Sequence, residues 1–168
     1  MLIILGGLPG VGKTTIAAEL ARRMGAVHLR IDSIEQAMLE SGALSGPMND
    51  AGYRVAYAVA ADNLRIGRKV VADSVNPLRI TREAWRAVAR ETGAPAVEVE
   101  IICSDAGEHR ARVETRACDI AGFKLPTWDD VTRRDYEAWE GAHLVIDTAG
   151  RTVEENVEAI RKVVTASA

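Results

Sequence analysis

Short, nearly unbroken apolar runs alternate along this chain with longer stretches whose apolar residues recur every three or four positions. The first run, Leu2-Ile3-Ile4-Leu5, stops at Gly6-Gly7, and a helical pattern begins near Gly12 with Ile16, Ala17, Leu20, Ala21 and Met24 on one face. Val27 to Ile31 gives a second strand ending at Asp32, and Ser33 with Gln36 has the spacing of a capping box for a helix to about Glu40. Ser41 to Asp50 is loop-like, and a helix through Tyr53, Tyr57, Ala60, Ala61 and Leu64 stops near Gly67. Lys69 to Ala72 forms the third strand, closed by Asp73, and Asn76-Pro77 opens a helix carrying Trp85 and Val88 to Gly93. Ala96 to Cys103 is a fourth strand, Asp105 to about Arg116 a charged helix, and Ala121 to Pro126 a loop. Thr127 starts a helix through Tyr136 and Trp139 to Gly141, His143 to Ile146 supplies the fifth strand, closed by Asp147, and Thr152 to Glu155 caps the last helix. Most of these strands are near-continuous apolar runs, which are buried on both faces, so the pattern predicts an α/β fold: a five-stranded parallel sheet with helices on both sides.

Length and composition fit one domain over 1–168, with 48% hydrophobic and 27% charged residues supplying a core and a soluble surface. A net charge of −3 and a pI near 5.7 offer no general attraction for DNA, RNA or anionic lipid. Cys103 and Cys118 lack zinc-binding spacing, and no apolar stretch approaches the roughly 20 residues of a membrane span. The expectation is a cytoplasmic protein that does not bind membranes or long nucleic acid.

The chemistry concentrates in Gly7-Leu8-Pro9-Gly10-Val11-Gly12-Lys13-Thr14, a full match to G-x-x-x-x-G-K-[ST] between a strand and a helix. In such a loop, backbone N–H groups at a helix start converge on the phosphates of a nucleotide, Lys13 neutralises their charge, and the Thr14 hydroxyl can ligate Mg²⁺. Thr15, next in the helix, belongs to the same binding segment. Asp32 follows strand two, where the carboxyl ends of parallel strands border the ligand crevice, so it can take the proton of an attacking hydroxyl or simply cap a helix. Asp73, at the end of strand three, can hold Mg²⁺ or serve as a turn residue. Arg112 and Arg116 share a helix face, whereas Arg110 points elsewhere. Over about 105–126 they can form a lid on the triphosphate, or a solvated helix with pairs such as Glu108 to Arg112.

Val71-Ala72-Asp73-Ser74-Val75-Asn76-Pro77, followed by Arg82, resembles the V-x-D-x-x-N-P-x-x-x-x-R segment of polynucleotide kinases, and Arg112-x-x-x-Arg116 is similar to their lid arginines. Over most of its length the chain resembles the small P-loop kinases of the AAA family, among them polynucleotide 5′-hydroxyl kinases, chloramphenicol phosphotransferase and zeta-toxin-like kinases. The resemblance implies a three-layer P-loop NTPase fold with strand order 2-3-1-4-5, Asp32 as general base, and adenine near Thr148, Ala149 and Gly150. One position departs: the polynucleotide kinases usually carry arginine three residues after that aspartate, and here Glu35 stands there. A carboxylate repels a phosphate on the acceptor. With only three Trp, three Tyr and one Phe to stack on bases, a neutral or cationic small hydroxyl compound fits better than an oligonucleotide end.

The expected activity is therefore ATP- and Mg²⁺-dependent phosphorylation of a hydroxyl on a small molecule, with Leu39 to Tyr57 as the acceptor-binding region. A polynucleotide or nucleotide kinase, or a nucleotide-dependent switch without an acceptor, are the alternatives.

Overall fold

A computed structural model describes residues 1–42 and 44–166. Its strands are β1 (Leu2–Gly6), β2 (Val27–Arg30), β3 (Val70–Asp73), β4 (Ala96–Ile102) and β5 (Leu144–Asp147). The helices are α1 (Lys13–Met24), α2 (Ile31–Glu40), α3 (Ala51–Arg65), α4 (Arg79–Thr92), α5 (Ala106–Thr115), α6 (Trp128–Thr132) and α7 (Val153–Ala166). All strand pairs are parallel, in the order β2-β3-β1-β4-β5. The sheet, its order and the helices on both faces are those of the P-loop NTPase fold expected from the sequence.

Alternation along β1 divides the core. Ile3 and Leu5 face Ile16 and Leu20 of α1 and Val157 and Ile160 of α7. Leu2 and Ile4 face Ala56 and Ala60 of α3 and Trp85 and Val88 of α4. With all four β1 side chains fully buried, β1 is the centre of the sheet, and the loop that leaves it projects over the sheet's carboxyl edge.

Three local expectations need correction. β2 runs straight into α2, with Ile31 already helical and Arg30 at the extended N-cap, so Ser33 lies inside the first turn and the Ser33–Gln36 box does not form. Asp32 is likewise inside that turn, where its charge suits the helix dipole but where it caps nothing. The helix expected from Asn76-Pro77 starts at Arg79, because Asn76 adopts a left-handed conformation (φ 48°) and Leu78 is extended. The helix expected from Thr127 to Gly141 is only the short α6. Beyond it, Arg82 takes the carbonyls of Glu137 and Ala138, and the Glu137 amide donates to Pro77 O at 2.8 Å, so the backbone groups a longer helix would need are engaged elsewhere. The loop expected over Ser41 to Asp50 is non-helical where described, and residue 43 lies outside the described residues.

Candidate active site

The loop between β1 and α1 is shaped by glycine where no other residue fits. Gly7 has φ 136°, and a Cβ there would lie 2.1 Å from Ile101 O; Gly10 has φ 88°, and its Cβ would meet Val113 at 2.4 Å. Three of the loop's carbonyls are held by side chains. Lys13 Nζ donates to Leu8 O at 2.9 Å, His109 Nε2 to Pro9 O at 2.9 Å, and Thr148 Oγ1 to Val11 O at 3.0 Å. The first turn of α1 leaves amides with no partner inside the helix, on a loop whose carbonyls are turned elsewhere. Lys13 is 7% exposed, and burial lowers its pKa from 10.5 to about 8 against the raising influence of Asp73 and Asp32.

This loop forms one wall of a cavity of about 1150 Å³ that opens at the carboxyl ends of the strands. Pro9 to Thr15, Asp32, Asp73, Arg112, Arg116 and Thr148 all line it, so one crevice collects the sequence-nominated lysine, carboxylates and arginines. Gly7, Leu8, Ala149 and Gly150 do not line it. Gly7 N donates to Val75 O, and the amides of Ala149 and Gly150 are held by Asp147 and Glu108. Asp32 is half-buried, and burial is the main reason its carboxyl titrates above the usual range, with Lys13 opposing and Asp73 adding. Glu35, one helical turn on, is raised for the same main reason, with Asp32 adding to it. Asp73 is 3% exposed, its Oδ2 3.2 Å from His28 Nε2. Among the described residues no group of three or more His, Cys, Asp or Glu could hold a metal, but a Thr14 hydroxyl and an Asp73 carboxylate are the hard oxygen donors that suit Mg²⁺ when phosphate and water complete the shell.

Arg112 of α5 and Arg116 at its C-cap are placed differently. Arg112 is anchored to the Thr148 hydroxyl at 2.8 Å and carbonyl at 3.0 Å, and pairs with Glu108, so both the ion pair and the wall position exist. Arg116, just past the helix, donates to Pro126 O at 3.2 Å and keeps its Nε buried without a partner; burial pulls its pKa down. Arg110 pairs with Glu114 on the exposed side.

Residues 2–137 match the family model described as an AAA domain. The chain belongs to that family. It is a small P-loop kinase of the AAA domain type, with the fold and loop described above. It is 27% identical to the probable adenylyl-sulfate kinase of Aeropyrum pernix, over 99% of this chain and 93% of that one. The Mycobacterium tuberculosis APS kinase CysC in complex with AMPPNP and APS superposes with a TM-score of 0.71 at 20% identity, covering 98% and 96% of the two chains. A gluconokinase from Sinorhizobium meliloti gives 0.66 at 20%, covering 98% and 92%.

Several crevice residues of this AAA domain carry no local signal in the sequence. Arg30, at the end of β2, grips Asp119 with two hydrogen bonds of 2.6 and 2.9 Å and so ties the segment after α5 to the sheet. Arg134, just beyond α6, is exposed at the cavity wall, and its charge offsets the upward shift of Glu35. Asn156 of α7 is 2% exposed, with Oδ1 buried and unpartnered. His109 looks like one more residue of a charged helix, and only the packing of α5 on the loop reveals its role.

Among the described residues, no helix is long and apolar enough to cross a membrane.

Proposed function

We propose that this AAA domain transfers the γ-phosphoryl group of ATP to a hydroxyl of a small molecule, with Mg²⁺ as cofactor. The observation that carries the reading is the convergence of Lys13, Asp32, Asp73 and Arg116 on one crevice at the carboxyl ends of β1, β2 and β3. Lys13 and Arg116 neutralise charge on the transferring group, and Asp32 orients the acceptor hydroxyl and receives its proton. Its upward-shifted pKa suits a proton acceptor. Mg²⁺, held by Thr14 and Asp73, would spread the phosphate charge. Residues 105–126 act as a lid, with Arg112 fixing its root against Thr148. Thr148 borders the adenine end, whereas Ala149 and Gly150 support the turn behind it.

On the acceptor side Glu35 and Asp50 line the same cavity, in the region between β2 and β3. Two carboxylates there favour a neutral or cationic hydroxyl compound. The relatives supply a second reading, in which adenylyl sulfate is the acceptor; Glu35 weighs against an anionic one.

An ADP-release screen over sugars, amino alcohols, nucleosides and hydroxy acids, with adenylyl sulfate and a 5′-hydroxyl oligonucleotide included, tests both readings. The expected hit is a neutral or cationic compound whose turnover falls at least about a hundredfold in Asp32→Asn and Lys13→Ala. Turnover of adenylyl sulfate alone would establish the second reading. ATP hydrolysis indifferent to every acceptor would instead make the protein a switch.

A further inference from the structure

We infer that His109 is a positioning residue of the nucleotide site: its Nε2–H sets the peptide plane between Pro9 and Gly10 and thereby aims the Gly10 amide. The inference rests on the reading of the crevice as a nucleotide site.

A carbonyl oxygen only accepts hydrogen bonds, so the 2.9 Å contact from His109 Nε2 to Pro9 O requires the proton on Nε2. The described chain has no cis peptide, and in a planar trans unit the C=O and the following N–H point in opposite directions. Drawing the Pro9 carbonyl toward α5 therefore turns the Gly10 N–H to the side away from α5. Pro9 and Gly10 line the cavity and His109 does not, so an amide turned away from the imidazole is placed to face the cavity. The same logic applies at the Val11 carbonyl, which shares the single Thr148 hydroxyl proton with Ile102 O, each at 3.0 Å, and it bears on the orientation of the Gly12 amide.

The imidazole is placed to do this. It is 7% exposed, and its ring meets Trp128 of α6 edge-on, with centroids 5.1 Å apart and planes at 89°. One turn along α5, Val113 fills the space above Gly10 that any side chain on Gly10 would need. Arg112, on the same helix, binds Thr148, which itself holds Val11 O. The root of the proposed lid thus touches the phosphate loop at the carbonyls of Pro9 and Val11, at the first directly and at the second through Thr148. The position of α5 and the aim of the loop amides are coupled through these two contacts.

Two variants separate hydrogen bonding from packing. His109→Phe keeps a ring against Trp128 without a donor, and His109→Gln offers an amide N–H at a similar reach. ADP affinity with Mg²⁺, measured by calorimetry in the absence of any acceptor, is expected to weaken about five- to tenfold in His109→Phe, the usual worth of one buried neutral hydrogen bond. His109→Gln should recover most of that loss. The Gly10 amide resonance in ¹⁵N-labelled protein should move in His109→Phe and return toward the wild-type position in His109→Gln, a readout that loss of packing alone would not restore. Wild-type ADP affinity in His109→Phe overturns the inference, as does His109→Gln binding as weakly as His109→Phe. The kinase reading fails separately: a wild-type chain that binds ADP and phosphorylates no acceptor overturns that reading and leaves the role of His109 standing, whereas a wild-type chain with no ADP affinity overturns both.

Discussion

At the scale of the residue, Lys13 carries the clearest consequence of burial. Its free-state pKa of about 8 means that it is mostly charged at pH 7 and mostly neutral at pH 9. Phosphate oxygens bind the charged form, so a bound nucleotide raises the pKa and the complex takes up a proton wherever the free protein has lost one. Affinity for a nonhydrolysable ATP analogue should hold steady between pH 6.5 and 7.5, then fall by up to about tenfold per unit above pH 8. Calorimetry in two buffers of different ionisation enthalpy should report proton uptake approaching one per nucleotide at pH 9, and Lys13→Met should abolish both effects. Equal affinity at pH 7 and pH 9 with no uptake would show that Lys13 is not the group that meets the phosphates. Stability has its own sign: the folded-state pKa lies below the unfolded 10.5, so between about pH 8 and 10.5 the unfolded chain binds more protons and Lys13 makes the fold more stable as pH rises.

At the scale of the element, the segment after α6 explains both a misreading and a dependence. The periodicity through Tyr136 and Trp139 is real, but it describes burial rather than helix. Trp139 packs so closely on Gly6 that a Cβ there would lie 2.2 Å from the ring, and its Nε1 donates to Tyr136 Oη at 2.8 Å. Arg82, 1% exposed, lies 5.2 Å from the Trp139 ring centroid and donates to carbonyls of Asn76, Pro77, Glu137 and Ala138. One guanidinium thus joins the turn after β3 to the strap beneath the phosphate loop, and no pattern local to residues 128–141 records a partner at position 82. Removing it leaves several inward-facing carbonyls without a donor, at about 1–3 kcal/mol for each group left unsatisfied. Arg82→Met should therefore lose about 3 kcal/mol in urea denaturation while keeping far-UV circular dichroism close to wild type. A loss under about 1 kcal/mol would mean that water or repacking replaces the guanidinium.

At the scale of the whole molecule, the sheet was legible because β1, β3 and β5 are apolar runs closed by a glycine or an aspartate and β2 and β4 repeat the strand-to-helix rhythm, and the motif between β1 and α1 marked where the crevice opens. Lys13 and Thr14 could be nominated from that motif, and Asp32 and Asp73 because each sits at a strand's carboxyl end or just beyond it. His109, Arg30, Arg134 and Asn156 could not, since their roles depend on which elements meet across the crevice, and that follows from packing rather than from local spacing. The assembled crevice compensates its own cations only in part: Asp73 and Asp32 do not offset the burial of Lys13, and the Nε of Arg116 is buried without a hydrogen-bond partner. A polyanion supplies the remaining negative charge, so binding should stabilise the whole fold. At a ligand concentration 100 times its dissociation constant the gain is about 2.7 kcal/mol. For a chain of this length each kcal/mol raises the unfolding midpoint by about 2–4 °C, so the Mg²⁺ complex of a nonhydrolysable ATP analogue should raise it by about 5–11 °C. Lys13→Ala, measured against its own unliganded midpoint at the same ligand concentration, should lose most of the shift, because its affinity falls even if removing a buried charge makes the free variant more stable. An equal shift in both proteins would locate nucleotide binding away from this crevice.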